Sequence, residues 1–393
     1  MVVKRSEVMA HRIQAQQLDR AEAKRALTDA AIFGFGVQDT GRDGASWALA
    51  NRGVPVTGAG ELESSPDVAL VWTLRSSPHY YRRTELEDVL VATSPFSEAD
   101  AAKRLVGADK PLKAAGISAR EGLAEVAGKM RTVVTRPMVK GEASTRLTPL
   151  LDEPYRRDCR SCGTVHAWET PFRLSALYAG LELEPGTSPP VLRRIPGWPR
   201  RTPSPADDPL AAPEHLQPIR NYLRFLGPAT AKDVAGFLDA PVAEIKRHWP
   251  ADAVAVQVDG VERWWLEHSY IAGEDDPPEP PRTGLATESD PDLVRLLGGF
   301  DLLLQGRDRE LIVPDTGKHK ALWPVLGRPG AVLVGTEIVG TWRPKTAGST
   351  FTLRLELWTK IAKAVRQRLE AEAERLAAHR GLTLAGVDEE TEG

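Results

Sequence analysis

The segment from Tyr222 to Leu266, YLRFLGPATAKDVAGFLDAPVAEIKRHWPADAVAVQVDGVERWWL, constrains the fold of this 393-residue chain more than any other. Thr230 opens a T-x-x-D capping pattern with Asp233, and Val234, Phe237 and Leu238 follow as one apolar stripe at helical spacing. Pro241 suits the first turn of a second helix, in which Val242, Ile245 and Trp249 repeat that stripe. Val254, Val256 and Val258 then alternate, Asp259-Gly260 supplies a tight turn, and Val261 to Leu266 returns. With the helix that starts the segment, the predicted order is helix, helix-turn-helix, β-hairpin.

That order is the one of a winged-helix nucleic-acid-binding module, and two earlier stretches carry weaker versions of it. The first has an Arg- and Gln-rich helix from Ser6 to Leu18, a second near Leu27 to Phe35, a third from Ala45 to Arg52, and strand text from Val68. The second has SAREGLAEVAGKMRTVV, with Leu123, Val126, Ala127 and Met130 on one face, then the short helix EASTRLTPLL and a hairpin bearing both cysteines. The expected fold class is α+β: tandem winged-helix motifs (helix-turn-helix plus β-hairpin), a C-terminal β-rich region and a terminal helix. The expected boundaries are a first unit over 1–95, a second over 96–183, and a Pro/Arg-rich linker over 184–216. A third unit covers 217–272, an acidic Pro-rich loop 273–284, the β-rich region and helix 285–382, and a disordered acidic tail 383–393. The linker holds nine prolines, with Arg193, Arg194, Arg200 and Arg201 around Trp198. The terminal helix, Leu357 to His379, carries Trp358, Ile361, Val365, Leu369 and Leu376 on one face, which predicts packing on its own domain.

Composition narrows the class. With 41% hydrophobic and 27% charged residues and no long apolar run, the chain reads as globular, without a membrane span or signal peptide, and cytoplasmic. A net charge of −3 gives no global attraction to nucleic acid, so DNA affinity must come from clustered basic residues. No Ser-His-Asp set, phosphate-binding loop or dinucleotide fingerprint is present. The only cysteines, Cys159 and Cys162, lie in DCRSCGTVH beside His166. A hairpin context favours metal over thioredoxin-like redox chemistry, so these three residues are candidate ligands of a structural zinc. Asp158, Glu169 and His215 are candidates for a fourth ligand, and two small residues closing a turn is the alternative reading.

YLRFLGPATAKDVAGFL, GGFDLLLQGRDRELIVP, VGTEIVGTWR and GFGVQDT, in register from about Ser6 to Arg380, together resemble the AlkZ-like (YcaQ-type) winged-helix DNA glycosylases. The resemblance implies three tandem winged-helix motifs in a C-shaped scaffold and excision of bulky or crosslinking alkyl adducts from purines, without catalytic metal. It also implies a catalytic Q-Φ-Q or Q-Φ-D motif. Its first position falls on Gln38, its apolar middle on Asp39, and its last on Thr40, so this chain departs from the pattern at two of three places. On that register Gln38 would position water and Asp39 would stabilise an oxocarbenium-like sugar, while Thr40 could only hydrogen-bond the water. A turn in which Asp39 or Thr40 caps the next helix is the competing explanation of the triplet.

The remaining site residues are basic or aromatic. WTLRSSPH places Arg75 and His79 near DNA by family likeness, and Tyr80, Arg82 and Arg83 extend that cluster. Arg156, Arg157 and Arg160 flank the cysteines; Lys232, Lys246, Arg247 and Arg263 belong to the third unit; Trp342 and Arg343 follow from GTWR. The expected partner is double-stranded DNA carrying alkylated or bulky adducts, bound by a monomer. The competing function is a non-catalytic winged-helix DNA-binding protein, a regulator or lesion binder.

Overall fold

A computed structural model describes residues 1–20, 26–199, 203–266 and 290–390, in which short helices alternate with mostly antiparallel strands. The chain begins with β1 (Val2–Val3), α1 (Arg5–Ala15), β2 (Val37–Gln38), α2 (Gly44–Ala50), α3 (Ala59–Ser64), β3 (Val68–Trp72), β4 (Pro78–Arg82) and α4 (Leu86–Ala92). It continues through α5 (Glu98–Arg104), α6 (Asp109–Ala114), α7 (Ala119–Val133), β5 (Met138–Val139) and α8 (Lys140–Leu147). Next come β6 (Arg156–Cys159), β7 (Thr164–Ala167), α9 (Glu169–Tyr178), β8 (Leu181–Glu184) and β9 (Val191–Arg194). Then follow α10 (Pro218–Leu226), α11 (Ala231–Leu238), α12 (Val242–Arg247), β10 (Ala253–Val258) and β11 (Val261–Leu266). The C-terminal part holds β12 (Val294–Leu297), α13 (Arg309–Ile312), α14 (His319–Leu322), β13 (Gly330–Val334), β14 (Glu337–Ala347), β15 (Thr350–Leu357), α15 (Lys363–His379) and β16 (Thr383–Glu390). No helix among the described residues is long and apolar enough to cross a membrane.

The third unit forms in the predicted order, except that α12 ends at Arg247, short of Trp249, and Val242 of the expected stripe is exposed. Thr230 Oγ1 accepts from the Asp233 amide at 3.2 Å, and the Asp233 carboxylate accepts from the Thr230 amide at 2.9 Å, which starts α11. Val234, Phe237 and Leu238 are buried. Asp259 and Gly260 both take positive φ, 50° and 78°, as a two-residue hairpin turn requires, and β10 and β11 pair from Ala253↔Leu266 to Val258↔Val261.

Elsewhere long-range packing redraws the expected boundaries. The segment 1–20, expected with the first unit, leaves it. β1 runs parallel to β10, Val3 and Val8 share a core with Val256, Val258 and Trp265, and Met9 and Ile13 pack with Leu297, Leu303 and Ile312. Helix α1 stops at Ala15, short of the expected Leu18, because Gln17 turns left-handed at φ 61°. The helix expected near Leu27 to Phe35 is two separate turns of 3-10 helix, Leu27–Asp29 and Ala31–Gly34. Gly36, at φ 83°, then bends the chain into β2 so close to Tyr81 that a Cβ there would lie 2.4 Å from the ring.

The first and second units are not separate bodies. Their strands join one six-stranded antiparallel sheet in the order β2-β4-β3-β8-β9-β5, linked by the pair Leu70↔Leu183. Strand β9 comes from the expected linker: Leu192 is buried, and Arg193 and Arg194 bond Glu182 and the carbonyls of Arg131 and Val134. Trp198 sits against Gly180, where a Cβ would lie 2.4 Å from the indole. The C-terminal sheet runs β12-β13-β14-β15-β16, and α15 packs on it through Val365, Leu369, Ala373 and Leu376. The terminal helix begins at Lys363, since Leu357 ends β15. The tail expected to be disordered supplies β16 from Thr383, parallel to β15, with Leu384 and Val387 against the same core. Arg200, Arg201 and the acidic loop 273–284 lie outside the described residues.

Two buried ion pairs join these parts. Arg52 bonds both carboxylate oxygens of Asp301 at 2.8 and 2.9 Å and the side-chain Oε1 of Gln16 at 2.9 Å. Arg12 bonds both oxygens of Asp308 at 3.1 and 2.6 Å and the Gly227 carbonyl at 3.2 Å. Removing one partner of such a pair strands a buried charge. Arg52→Ala and Asp301→Ala are each expected to lower unfolding free energy by about 3–5 kcal/mol in urea titrations.

Candidate active site and DNA-facing surface

Strand β2 decides which side chains of the Gln38-Asp39-Thr40 triplet act together. It pairs with β4 through Val37↔Tyr80 and Gln38↔His79. Alternation sends Val37 and Asp39 to one face and Gln38 and Thr40 to the other. Accordingly Gln38 Nε2 donates to Thr40 Oγ1 at 2.9 Å, while Asp39 Oδ1 accepts from the Ala45 amide at 3.3 Å in the first turn of α2. Asp39 thus holds the start of α2, a capping contact of the kind the sequence allowed for. Burial lifts its carboxyl to about 6, aided by Glu63 and Asp43 and opposed by the Ala45 amide.

Gln38 faces a cleft of about 350 Å³, its open mouth included, bordered by Gly36, Arg75, His79, Phe237, Phe300 and Gln305. Arg75 organises this cleft. It donates to Gln38 Oε1 at 3.0 Å, to Gln305 Oε1, and to the Phe237 carbonyl at 3.3 Å, with its guanidinium 4.2 Å from the Phe237 ring centre. An arginine only donates, so the amide atom of Gln38 facing it is the oxygen. Arg75 and Ser76 both adopt left-handed backbone, φ 55° and 57°, in the turn between β3 and β4. Two consecutive non-glycine residues in that region make a strained turn, which the surrounding packing must hold. Burial, with Arg307 nearby, lowers the Arg75 guanidinium to about 10. His79 Nδ1 lies 3.0 Å from the Ser77 carbonyl and 3.2 Å from Thr73 Oγ1, and burial, reinforced by Arg75, pushes its pKa to about 3. His79 is therefore a neutral ring at physiological pH.

Several expected DNA contacts are occupied inside the fold. Tyr80 is buried, with burial and Asp39 raising its phenol. Arg82 bonds the carbonyls of Thr28 and Ala30 and pairs with Glu85; Arg83 bonds those of Pro66 and Val68 and pairs with Glu182 at 2.8 Å. Arg263 pairs with Asp233 and Asp308. Trp342 is core: its indole N–H donates to the Leu297 carbonyl at 2.9 Å, and its ring fills the space beside Gly330. The exposed candidates are Lys232 on α11, Lys246 and Arg247 on α12, Arg160 in the cysteine turn, and Arg343. Arg247 also pairs with Glu244, and Arg343 donates to the Gly327 carbonyl. Arg156 is partly exposed on β6, and Arg157 lies 5.5 Å from the Trp168 ring centre.

Sequence reading missed Gln305, Phe237 and Phe300 in the cleft, and three arginines near it. Arg307, Arg309 and Arg328 have no carboxylate partner among the described residues. Arg309 lies 4.8 Å from the Trp323 ring centre and Arg328 5.0 Å from that of Phe300. Burial and mutual repulsion lower Arg309 and Arg328. An unneutralised group of this kind suits phosphate. For Arg307 and Arg309 the signal was present in GGFDLLLQGRDREL, but spacing alone could not show which of its charges are consumed: Asp308 is, by Arg12 and Arg263.

Cys159, Cys162 and His166 converge on the β6–β7 hairpin, their ligand atoms all within 4.8 Å of one another. Both cysteines are free thiols, Cys159 buried and Cys162 exposed. Hydrogen bonds from Ser161, His166 and Arg157 lower the Cys159 thiol to about 5. Two proposed fourth ligands are engaged elsewhere: Glu169 with Lys140 and Arg173, His215 with Glu85.

A cleft beneath an N-terminal strand, bordered by two glutamines and approached by unpaired arginines, belongs on a protein that handles a polyanion. The sequence matches the family described as DNA glycosylase AlkZ-like over residues 34–379, so the chain belongs to the AlkZ-like DNA glycosylases. Among solved structures it is similar to the Streptomyces sahachiroi DNA glycosylase AlkZ, with a TM-score of 0.70 over 99% of this chain and 100% of that one. Identity is 19%, so this likeness concerns the fold. No curated protein matches the sequence.

The raised carboxyl of Asp39 has a measurable consequence. A group bound to its proton more tightly when folded stabilises the protein below its unfolded pKa of about 3.8, and that contribution is lost as pH rises through about 6. Asp39→Asn keeps an oxygen for Ala45 without the charge. It is expected to gain stability relative to wild type at pH 7–8, with the two proteins converging near pH 4, read from urea unfolding of both across that range.

Proposed function

We propose that this glycosylase hydrolyses the N-glycosidic bond of alkylated or bulky adducted purines in double-stranded DNA, acting as a monomer through tandem winged-helix motifs. The observation that carries the reading is the Gln38 amide, held in the cleft between Arg75 and Thr40. Each of its polar atoms makes one hydrogen bond there, leaving one lone pair on Oε1 and one N–H on Nε2 for an attacking water. No carboxylate borders the cleft among the described residues. Such a site offers oriented amides and little acid-base power, which suits a base that is already a good leaving group. Alkylation at purine N7 makes the base cationic and labile in that sense.

Space supports the same class. Free space in the cleft is enough for about a water molecule and not for a base, so an adducted purine would be approached at its sugar rather than enclosed. The winged-helix reading is supported by the order α10, α11, α12, β10, β11, with Lys232, Lys246 and Arg247 exposed on the last two helices. In this reading Arg307, Arg309 and Arg328 hold the phosphates beside the lesion. Asp39 Oδ1 accepts from the Ala45 amide at 3.3 Å, so in this reading Asp39 serves chiefly to anchor α2 and the oxocarbenium-stabilising role expected of it is not needed.

Base release from duplexes carrying N7-alkylguanine and larger natural-product adducts tests the assignment. Gln38→Ala is expected to slow release by on the order of 10²-fold while duplex binding persists, whereas Asp39→Asn stays within a few-fold of wild type. Unchanged release by Gln38→Ala would remove that residue from the chemistry. Tight binding without release from any adduct would favour a lesion binder, a reading motivated by Thr40 at the motif's last position. Arg307→Ala and Arg328→Ala are each expected to reduce the slope of log affinity against log salt by about 1, measured by fluorescence anisotropy.

A further inference from the structure

We propose that Cys159, Cys162 and His166 form a structural zinc site that staples the β6–β7 hairpin, with water in the fourth position. The hairpin register places two of the ligands. Cys159 pairs with Thr164 and Arg157 with His166, so Cys159 and His166 are diagonal neighbours on one face of the ribbon. Cys162 comes round to them through the turn, in which the amides of Cys162 and Gly163 donate to the Cys159 carbonyl at 3.1 and 2.9 Å. Gly163 takes φ 65°, a conformation that favours glycine and closes the loop. The imidazole is oriented as well: His166 Nδ1 lies 2.7 Å from the Ala167 carbonyl, which leaves Nε2 for a metal. Zinc bonds of about 2.3 Å to sulfur and about 2.0 Å to nitrogen set tetrahedral ligand atoms roughly 3.5–3.8 Å apart. Ligand atoms already within 4.8 Å need only small side-chain rotations to meet that geometry.

Apart from its turn amides and the bonds of Arg157 and Ser161 to the Cys159 sulfur, the hairpin has little to hold its tip. It is a two-stranded sheet of its own, joined to no other strand among the described residues. Every residue from Arg160 to Val165 is exposed, and Val165 is half exposed despite being apolar. A ribbon of this size is marginal in water without burial or a cross-link. The same ribbon carries Arg156, Arg157 and Arg160, so the metal would fix the position of a basic tip. Two thiolates and one imidazole form a donor set suited to zinc, and hard cations such as magnesium or calcium take oxygen ligands instead.

The test uses the full chain expressed with zinc in the medium and needs no activity assay, so its result is independent of the glycosylase reading. Elemental analysis is expected to give about one zinc per chain, lost in Cys162→Ser and His166→Ala. Both residues lie outside the buried core, and circular dichroism checks that the variants fold. Cobalt added to stripped wild-type protein should produce a thiolate-to-metal charge-transfer band, absent in Cys162→Ser. Trypsin should cut after Arg156, Arg157 or Arg160 severalfold faster once a chelator has removed the metal. Zinc-free protein that gives no such band with cobalt would overturn the proposal, as would a Cys159–Cys162 disulfide in freshly isolated material.

Discussion

The cleft depends on two arginine–aspartate pairs taken entirely out of water. Arg52 reaches Asp301 and Arg12 reaches Asp308, at the two ends of the segment that carries Gln305 and Arg307. Charges in such surroundings need hydrogen-bonded partners, and both guanidinium groups engage their carboxylate through two nitrogens, while the Arg52 Nε–H has no partner among the described residues. Between the two aspartates the segment is pinned again: the Arg307 amide donates to the Tyr222 hydroxyl, and the Trp323 indole donates to the Leu304 carbonyl. The result places Gln305 against Arg75, and through Arg75 against Gln38, residues 267 positions apart in sequence (305 minus 38). The N-terminal helix, the first unit, the third unit and the C-terminal region each give a residue to this arrangement, so the site is assembled from four separate parts of the chain.

What the sequence disclosed follows the range of the forces involved. The capping box at Thr230 and Asp233, the stripe Val234-Phe237-Leu238 and the turn at Asp259-Gly260 are settled within a few residues, and each forms as read. The helical face Leu123, Val126, Ala127 and Met130 is likewise buried as a unit. Strands β9 and β16 were hidden because their partners are remote or their text is polar. Val191-Leu192 lies among prolines, and TLAGVDEE has the composition of a solvated tail until β15 offers it an edge. The displacement of α1 was hidden for the same reason, since nothing in SEVMAHRI says which distant surface its apolar face will meet.

The candidate site shows the same division. Gln38 and Arg75 were named from sequence and meet in the cleft. The grouping of Gln38 with Asp39 did not follow into space, because adjacent residues of a strand point to opposite faces. Thr40, the apparent departure from the family pattern, is the member of the triplet that touches Gln38. Conversely, Arg82, Arg83, Arg263 and Trp342 looked like surface chemistry and are fastened to carbonyls, carboxylates or the core. Charge in a sequence shows supply; only packing shows what is left over, and here the remainder lies at Arg307, Arg309 and Arg328.

The continuous six-stranded sheet carries an implication for how a damaged duplex is engaged. Modules joined by a flexible linker can close on a ligand like a pair of jaws, whereas strands of one hydrogen-bonded sheet cannot hinge apart without breaking their ladder. Held together in this way, the first two units would act as one template, and the shape change on binding would then fall to the nucleic acid. Deforming intact, stacked DNA is costly, and a lesion that has already weakened stacking reduces that cost before any base is touched. Selectivity would then be exercised mechanically, by how readily a stretch of duplex yields to a surface that does not.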